Sequence, residues 1–146
     1  MIRRIALVLL ASGLLLTACG PSAQVLYYWG GESNGVTEYE RASYYTADKQ
    51  SPESICQMLA MYEKLVSNPG GWRKLPPPGI CAEYAWLLIQ PETAEMFEKH
   101  ATARQKSLVG PVSGFSDRSR ELFEMEMRYY PESVTFIKPL AEKLFR

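Results

Sequence analysis

Few side chains in this sequence could do covalent or metal chemistry: the cysteines Cys19, Cys56 and Cys81, and a single histidine, His100. A metal site needs three or four ligands, and no His and Cys cluster is visible, so we expect no metal and no cofactor. No local motif joins His100 to a cysteine nucleophile, and no phosphate loop or Ser-His-Asp arrangement is present. We therefore predict a surface histidine and a protein that is not an enzyme.

Cys19 follows a short hydrophobic segment with a distinctive order. Two arginines precede an apolar run over 5–16, which is shorter than the roughly 20 helical residues needed to span a bilayer. Residues 16–19 (Leu-Thr-Ala-Cys) resemble a bacterial lipobox. The sequence therefore predicts a signal peptide over 1–18 that is removed, and lipid on Cys19. Several acyl chains on one cysteine make a stable membrane anchor, whereas a single chain binds only marginally.

Gly20 bears on the expected membrane, and removal of the signal peptide changes the charge balance. Lipoproteins retained at the inner membrane often carry Asp after the lipidated cysteine, so Gly20 favours the outer membrane, on its periplasmic side. The full chain has 16 basic and 16 acidic residues, and loss of the two arginines in 1–18 leaves 14 against 16. A slightly acidic domain outside the cytoplasm is not expected to bind nucleic acid. The remaining length fits one domain.

Cys56 and Cys81 are left in an oxidising compartment, where a disulfide is one possibility. Each is predicted near the start of its own helix, and in a tight antiparallel hairpin those starts lie about 15–20 Å apart. The connector over 67–79 could cross back and bring the two thiols together. The alternative is a pair of buried free thiols that fill core space. The sequence leaves both open.

Hydrophobic periodicity predicts an all-α fold of five or six helices. A lipidated tether and extended aromatic segment over 19–35 precede a helical domain over 36–146. Ser51 and Pro52 predict a helix start, and Pro131 a helix stop. The expected elements are helices over 36–45, 52–67, 80–89 and 92–106, a loop over 107–116, a helix that Asp117 caps, and a last helix that Ser133 caps and Pro139 kinks or splits.

Aromatic side chains are the candidates for contacting a partner protein, because such residues dominate binding hot spots. Tyr27, Tyr28 and Trp29 lie in a β-prone segment too short and isolated to make a sheet, so they have little local burial. Trp72 is a further candidate. Phe115 completes the set because it follows an apolar loop that is expected to be exposed. Core packing explains aromatic residues equally well.

Three groups of residues together resemble one family of bacterial lipoproteins. They are 27–31 (Tyr-Tyr-Trp-Gly-Gly), 77–79 (Pro-Pro-Gly) before an apolar helix, and 122–124 together with 130–133. The family is catalogued as domain of unknown function 4810. Its members are tetratricopeptide-like helical lipoproteins, often encoded beside a lipoprotein resembling the curli export pore. The resemblance implies an assembly role at the outer membrane and no established activity. We expect a protein partner in the cell envelope and predict no small-molecule substrate.

Ala85, Phe123 and Pro131 fit positions of a tetratricopeptide repeat, which needs a small residue where its helices touch and a proline after the second helix. Ala85 and Phe123 are 38 residues apart, whereas the repeat expects about 16, so an insertion over about 92–114 is predicted. One repeat cannot stack alone, so flanking helices or a partner must cover it. The expected function is a protein-binding scaffold. The alternatives are a periplasmic enzyme or cell-wall hydrolase helper, and a structural spacer.

Overall fold

The computed structural model describes residues 25–146, so the signal peptide predicted over 1–18 and the lipid predicted on Cys19 lie outside the described residues. The described chain is helical apart from one antiparallel ribbon of two-residue strands, and the all-α prediction is confirmed. In chain order the elements are β1 Glu32–Ser33, β2 Val36–Thr37, α1 Glu38–Lys49, α2 Pro52–Ser67, α3 Ile80–Leu88, α4 Thr93–His100, α5 Ala103–Val109, α6 Phe115–Tyr129 and α7 Val134–Leu144, with short 3-10 turns at Val112–Gly114 and Pro131–Ser133.

Both α1 and α2 begin at reciprocal side-chain caps. The Thr37 hydroxyl accepts a hydrogen bond from the Glu40 amide, while the Glu40 carboxylate accepts one from the Thr37 amide at 2.8 Å. Ser51 and Ser54 form the same arrangement at the start of α2, with Pro52 in the first helical position. The predicted start of α2 is confirmed.

The centre of the core lies between α3 and α6, which share the most extensive helix contact. Ala85 on α3 and Phe123 on α6 are both buried. The Ser119 hydroxyl donates to the Ala85 carbonyl at 2.8 Å, which small side chains allow because the backbones can approach closely. α2 packs against four other helices: α1, α3, α4 and α5.

The region between α3 and α6 differs from the prediction of one long helix followed by a loop. The predicted helix is interrupted after His100, where α4 ends. A new helix, α5, begins after Thr102, whose hydroxyl accepts a hydrogen bond from the Gln105 amide. The loop predicted over 107–116 is occupied by the end of α5, a 3-10 turn and the start of α6. The insertion predicted over about 92–114 is therefore built mainly of two short helices.

Two predicted caps are wrong, and α7 continues unbroken through Pro139. α6 begins at Phe115, two residues before Asp117, because the buried Phe115 ring fixes the chain against the core. Ser133 precedes α7 but makes no side-chain cap. Pro139 does not split α7, since the carbonyl of Thr135 that loses its donor belongs to an exposed residue that water can reach.

Candidate functional site

Four aromatic rings form a continuous row from the surface into the core, and we call it the aromatic row. The ring centroids of Trp29 and Tyr39 lie 5.1 Å apart, those of Tyr39 and Tyr62 6.3 Å, and those of Tyr62 and Tyr84 5.7 Å in a near-parallel stack. Trp29 is partly exposed, whereas Tyr84 is fully buried. The row ties the N-terminal segment to α1, α2 and α3.

The outer tyrosines of the row converge on one carboxylate oxygen. The hydroxyls of Tyr39 and Tyr62 donate to Oε2 of Glu83 at 2.8 and 2.9 Å. Burial, followed by the hydrogen bond to Glu83, raises the pKa of Tyr39 to about 12, and burial also raises the pKa of Tyr62. Both hydroxyls therefore stay protonated at neutral pH and hold Glu83 in one orientation.

Glu83 stands on the wall of a groove of about 420 Å³ between α1, α2 and α3, which we call the aromatic groove. Glu83 itself is exposed, and no Lys, Arg or His among residues 25–146 lies within ion-pair distance of it. Trp86 is 46% exposed at the same groove. The lining is mostly apolar: Tyr39, Ser43, Thr46, Ala47, Met58, Tyr62, Trp86 and Leu87.

The inner end of the row meets a second carboxylate, Glu63, which is only 7% exposed. The Tyr84 hydroxyl donates to Glu63 Oε2 at 2.8 Å, and the Ser67 hydroxyl also donates to this carboxylate. Arg118 Nη2 lies 3.0 Å from Oε1 and 3.3 Å from Oε2. This buried carboxylate is thus fully partnered from within the chain.

Cys56 and Cys81 are both buried free thiols, so the disulfide alternative is not what the structure contains. Cys56 Sγ lies 3.8 Å from the Met96 carbonyl, while Cys81 lies in the core at the start of α3. Burial raises the pKa of Cys81 to about 12 and also raises the pKa of Cys56. His100 is exposed, with Nδ1 3.1 Å from Glu53. Protonated thiols are poor nucleophiles and poor metal ligands.

No family model, no curated protein and no solved structure matches the chain. The family resemblance therefore stays a prediction from the sequence. Within residues 25–146, no helix is long and apolar enough to cross a membrane. In the same part of the chain, His, Cys, Asp and Glu side chains nowhere gather in threes to hold a metal ion.

The aromatic residues predicted to contact a partner fall into three classes. Phe115 was expected to be exposed, which is wrong: it is 5% exposed and its ring lies 5.4 Å from that of Phe97. Tyr27, Tyr28 and Trp29 are partly buried. Trp72 is 71% exposed and stays available for a partner or a surface.

Trp72 belongs to the loop that seats the N-terminal segment. The Trp72 amide donates to the Val25 carbonyl at 3.0 Å, and the Arg73 amide to the Leu26 carbonyl at 3.2 Å. Gly71 has φ +72°, and a Cβ there would lie 2.8 Å from the Leu26 carbonyl oxygen. The backbone bonds make Val25, Leu26 and Trp72 neighbours, and all three side chains are exposed; we call these three residues the N-terminal patch.

Sequence reasoning missed Glu83, Tyr39 and Tyr62 as a site. One signal for it exists in the sequence, because Glu83 is the single charged residue in the otherwise apolar helix α3. A lone acid in such a helix needs a hydrogen-bond partner or solvent. Which tyrosines reach it depends on how α1 and α2 cross α3.

Proposed function

We propose that the protein is an outer-membrane-anchored periplasmic lipoprotein that acts as a protein-binding scaffold or accessory subunit of an envelope assembly. The observation that carries the proposal is the aromatic groove, an open concave surface with an exposed tryptophan, Trp86, and an oriented carboxylate, Glu83. Aromatic side chains at a concave surface are what protein-binding hot spots use. A curli-export-pore-like lipoprotein is the partner that the family resemblance suggests.

The position of the N-terminal patch supports the membrane part of the proposal. Five residues separate Cys19 from Val25, and an extended chain covers at most about 3.6 Å per residue. Lipid on Cys19 would hold the patch within about 20 Å of the bilayer. Trp72 is a residue type enriched at membrane interfaces, and the exposed Arg73 and Lys74 beside it would favour anionic lipid headgroups.

The anchor is tested by labelling cells with radioactive palmitate. The wild-type chain should take up label and fractionate with the outer membrane, whereas Cys19→Ser should not be labelled. Cys56→Ser is the matched control, because it removes a different cysteine and should leave labelling unchanged. Equal labelling of the wild type and Cys19→Ser would refute the anchor.

The scaffold role is tested by placing a photo-activated benzophenone side chain at position 86, in the aromatic groove. The control carries the same side chain at position 136 on α7, where Phe136 is 78% exposed. We expect a discrete adduct in the membrane fraction from position 86 that is absent from position 136 and weakened by Cys19→Ser. Identical adducts from both positions, or none from either, would favour the spacer alternative.

A further inference from the structure

The aromatic row links two carboxylates, Glu63 and Glu83. Both accept hydrogen bonds from tyrosine hydroxyls, but only Glu63 is also paired with a cation of the described chain. Tyrosine hydroxyls donate to Glu63 and Glu83 at 2.8–2.9 Å. The rings of Tyr62 and Tyr84, which serve the two carboxylates, stack on each other. Glu63 is completed by the guanidinium of Arg118. Glu83 has tyrosine donors on Oε2 but no cation among the described residues.

We propose that the aromatic groove receives an arginine side chain of the partner protein, whose guanidinium pairs with Glu83. This inference rests on the proposed scaffold function and names the chemistry of the residue that enters the groove. The incoming guanidinium takes the place at Glu83 that Arg118 occupies at Glu63.

One carboxylate oxygen of Glu83 is left for an incoming donor. Both tyrosine hydroxyls bind Oε2, so Oε1 accepts no hydrogen bond from the described residues. A carboxylate held by fixed donors needs little reorganisation when a cation arrives, which favours binding. Arginine presents several N–H donors in a rigid fork that matches a carboxylate.

The groove lining suits the rest of an arginine side chain. Its methylene stem can lie along apolar groups such as Met58 and Leu87 while the charged end meets Glu83. The exposed ring of Trp86 is of the type on which a guanidinium stacks. The volume of about 420 Å³ lies in the range of sites that hold small ligands.

The charge requirement is tested with two nearly isosteric probes, N-acetyl-arginine amide and N-acetyl-citrulline amide, of which the second is neutral. They are added to the full-length chain in detergent while the indole N–H signal of Trp86, assigned with Trp86→Phe, is followed by NMR. We expect the arginine probe to shift this signal saturably and to bind at least about tenfold more tightly than the citrulline probe.

Glu83→Gln should weaken the arginine probe by about tenfold and bring it close to the citrulline probe. Glu132→Gln, which removes an exposed carboxylate beyond α6, is the matched control and should leave binding unchanged. Circular dichroism of both variants confirms that they are folded.

Equal binding of the two probes, or no loss in Glu83→Gln, would overturn the inference. N-acetyl-lysine amide binding as well as the arginine probe would overturn the choice of arginine. These outcomes differ from a failure of the scaffold proposal. If position 86 cross-links a partner equally well in the wild type and in Glu83→Gln while the probes show no charge preference, the scaffold stands and this inference falls. Arginine binding without any cross-linked partner gives the reverse result.

Discussion

Glu63 and Glu83 show that burial decides whether a carboxylate needs a counter-charge from the same chain. Both accept tyrosine hydroxyls, and their tyrosines stack in one row. Glu63 is buried and has its own arginine, Arg118, whereas Glu83 is exposed and has no internal cation within residues 25–146. A buried charge without a partner costs several kcal/mol, so a buried carboxyl group is either paired or keeps its proton, while water stabilises an exposed carboxylate.

The difference separates a structural site from one that is open to a ligand. The Glu63 site holds α2, α3 and α6 together through Tyr84 and Arg118, and its carboxylate is buried. Glu83 also accepts hydrogen bonds from tyrosine hydroxyls, but it lies on the wall of the aromatic groove. We therefore expect the Glu63 site to contribute to stability and the Glu83 site to contribute to recognition.

Arg118→Met should give the largest loss of stability, because it leaves Glu63 buried without a counter-charge. We expect the free energy of unfolding to fall by about 3–5 kcal/mol, measured by urea denaturation. Arg128→Met is the matched control on the same helix, at an exposed position, and should change it by less than about 0.5 kcal/mol. Adding Glu63→Gln to Arg118→Met should restore part of the loss. Equal losses for the two arginine variants would break the comparison.

Tyr84→Phe removes one tyrosine hydroxyl that donates to Glu63, and Tyr39→Phe removes one that donates to Glu83. Loss of a donor to the buried Glu63 should cost about 1–3 kcal/mol, whereas loss of a donor to the exposed Glu83 should cost under about 1 kcal/mol. Urea denaturation measures both, and unchanged m-values would show that the unfolding transition is the same. If Tyr39→Phe were the more costly variant, the assignment of the two roles would be reversed.

Glu126 extends the comparison to a carboxyl group that is buried with no cation paired to it among residues 25–146. It is 3% exposed, and the Gly79 amide donates to its Oε1 at 2.8 Å. Burial raises its pKa, so the folded protein keeps a proton that the unfolded chain releases. The free energy of unfolding should therefore fall as the pH rises from the ordinary carboxyl pKa through the raised folded value.

Glu126→Gln removes this titration. The stability of the variant relative to the wild type should increase between about pH 4 and about pH 7.5, as measured by urea denaturation at both pH values. Glu132→Gln, at an exposed position, should show no such change. A relative stability of Glu126→Gln that falls over this range would contradict the role of burial at this carboxylate.

Glu83→Gln should give the smallest effect on stability. The amide oxygen still accepts from the Tyr39 and Tyr62 hydroxyls, and the favourable charge lost from the first turn of α3 is worth under about 1 kcal/mol. Thermal and urea unfolding should therefore differ little from the wild type. A loss as large as that of Tyr84→Phe would mean that Glu83 is also a structural residue.

Local signals were sufficient for the elements that begin or end at special residues. Ser51 and Pro52 predicted the start of α2, and Pro131 predicted the end of α6. Each acts through the backbone of its own turn, so no distant contact is needed. The break at Thr102 was also a local signal, a cap followed by Gln105, but it was hidden within a continuous polar stretch.

The prediction that Phe115 is exposed was wrong because the exposure of a side chain depends on the whole fold. Its neighbours in the chain read as an apolar loop, yet Phe97, eighteen residues earlier, supplies the ring against which it packs. The same holds for the two cysteines. The sequence allowed either a disulfide or two free thiols, and in the folded chain both are buried free thiols.

The sequence by itself determined the all-α class, the start of α2 and the segment that predicts a lipid anchor. Each depends on periodicity, on turn chemistry or on residues adjacent in the chain. The tertiary structure alone decided that Glu63 would be closed by Arg118 and that Glu83 would be left open to a groove. The physical reason is that burial, and with it the need for a counter-charge, depends on how helices far apart in sequence cover one another.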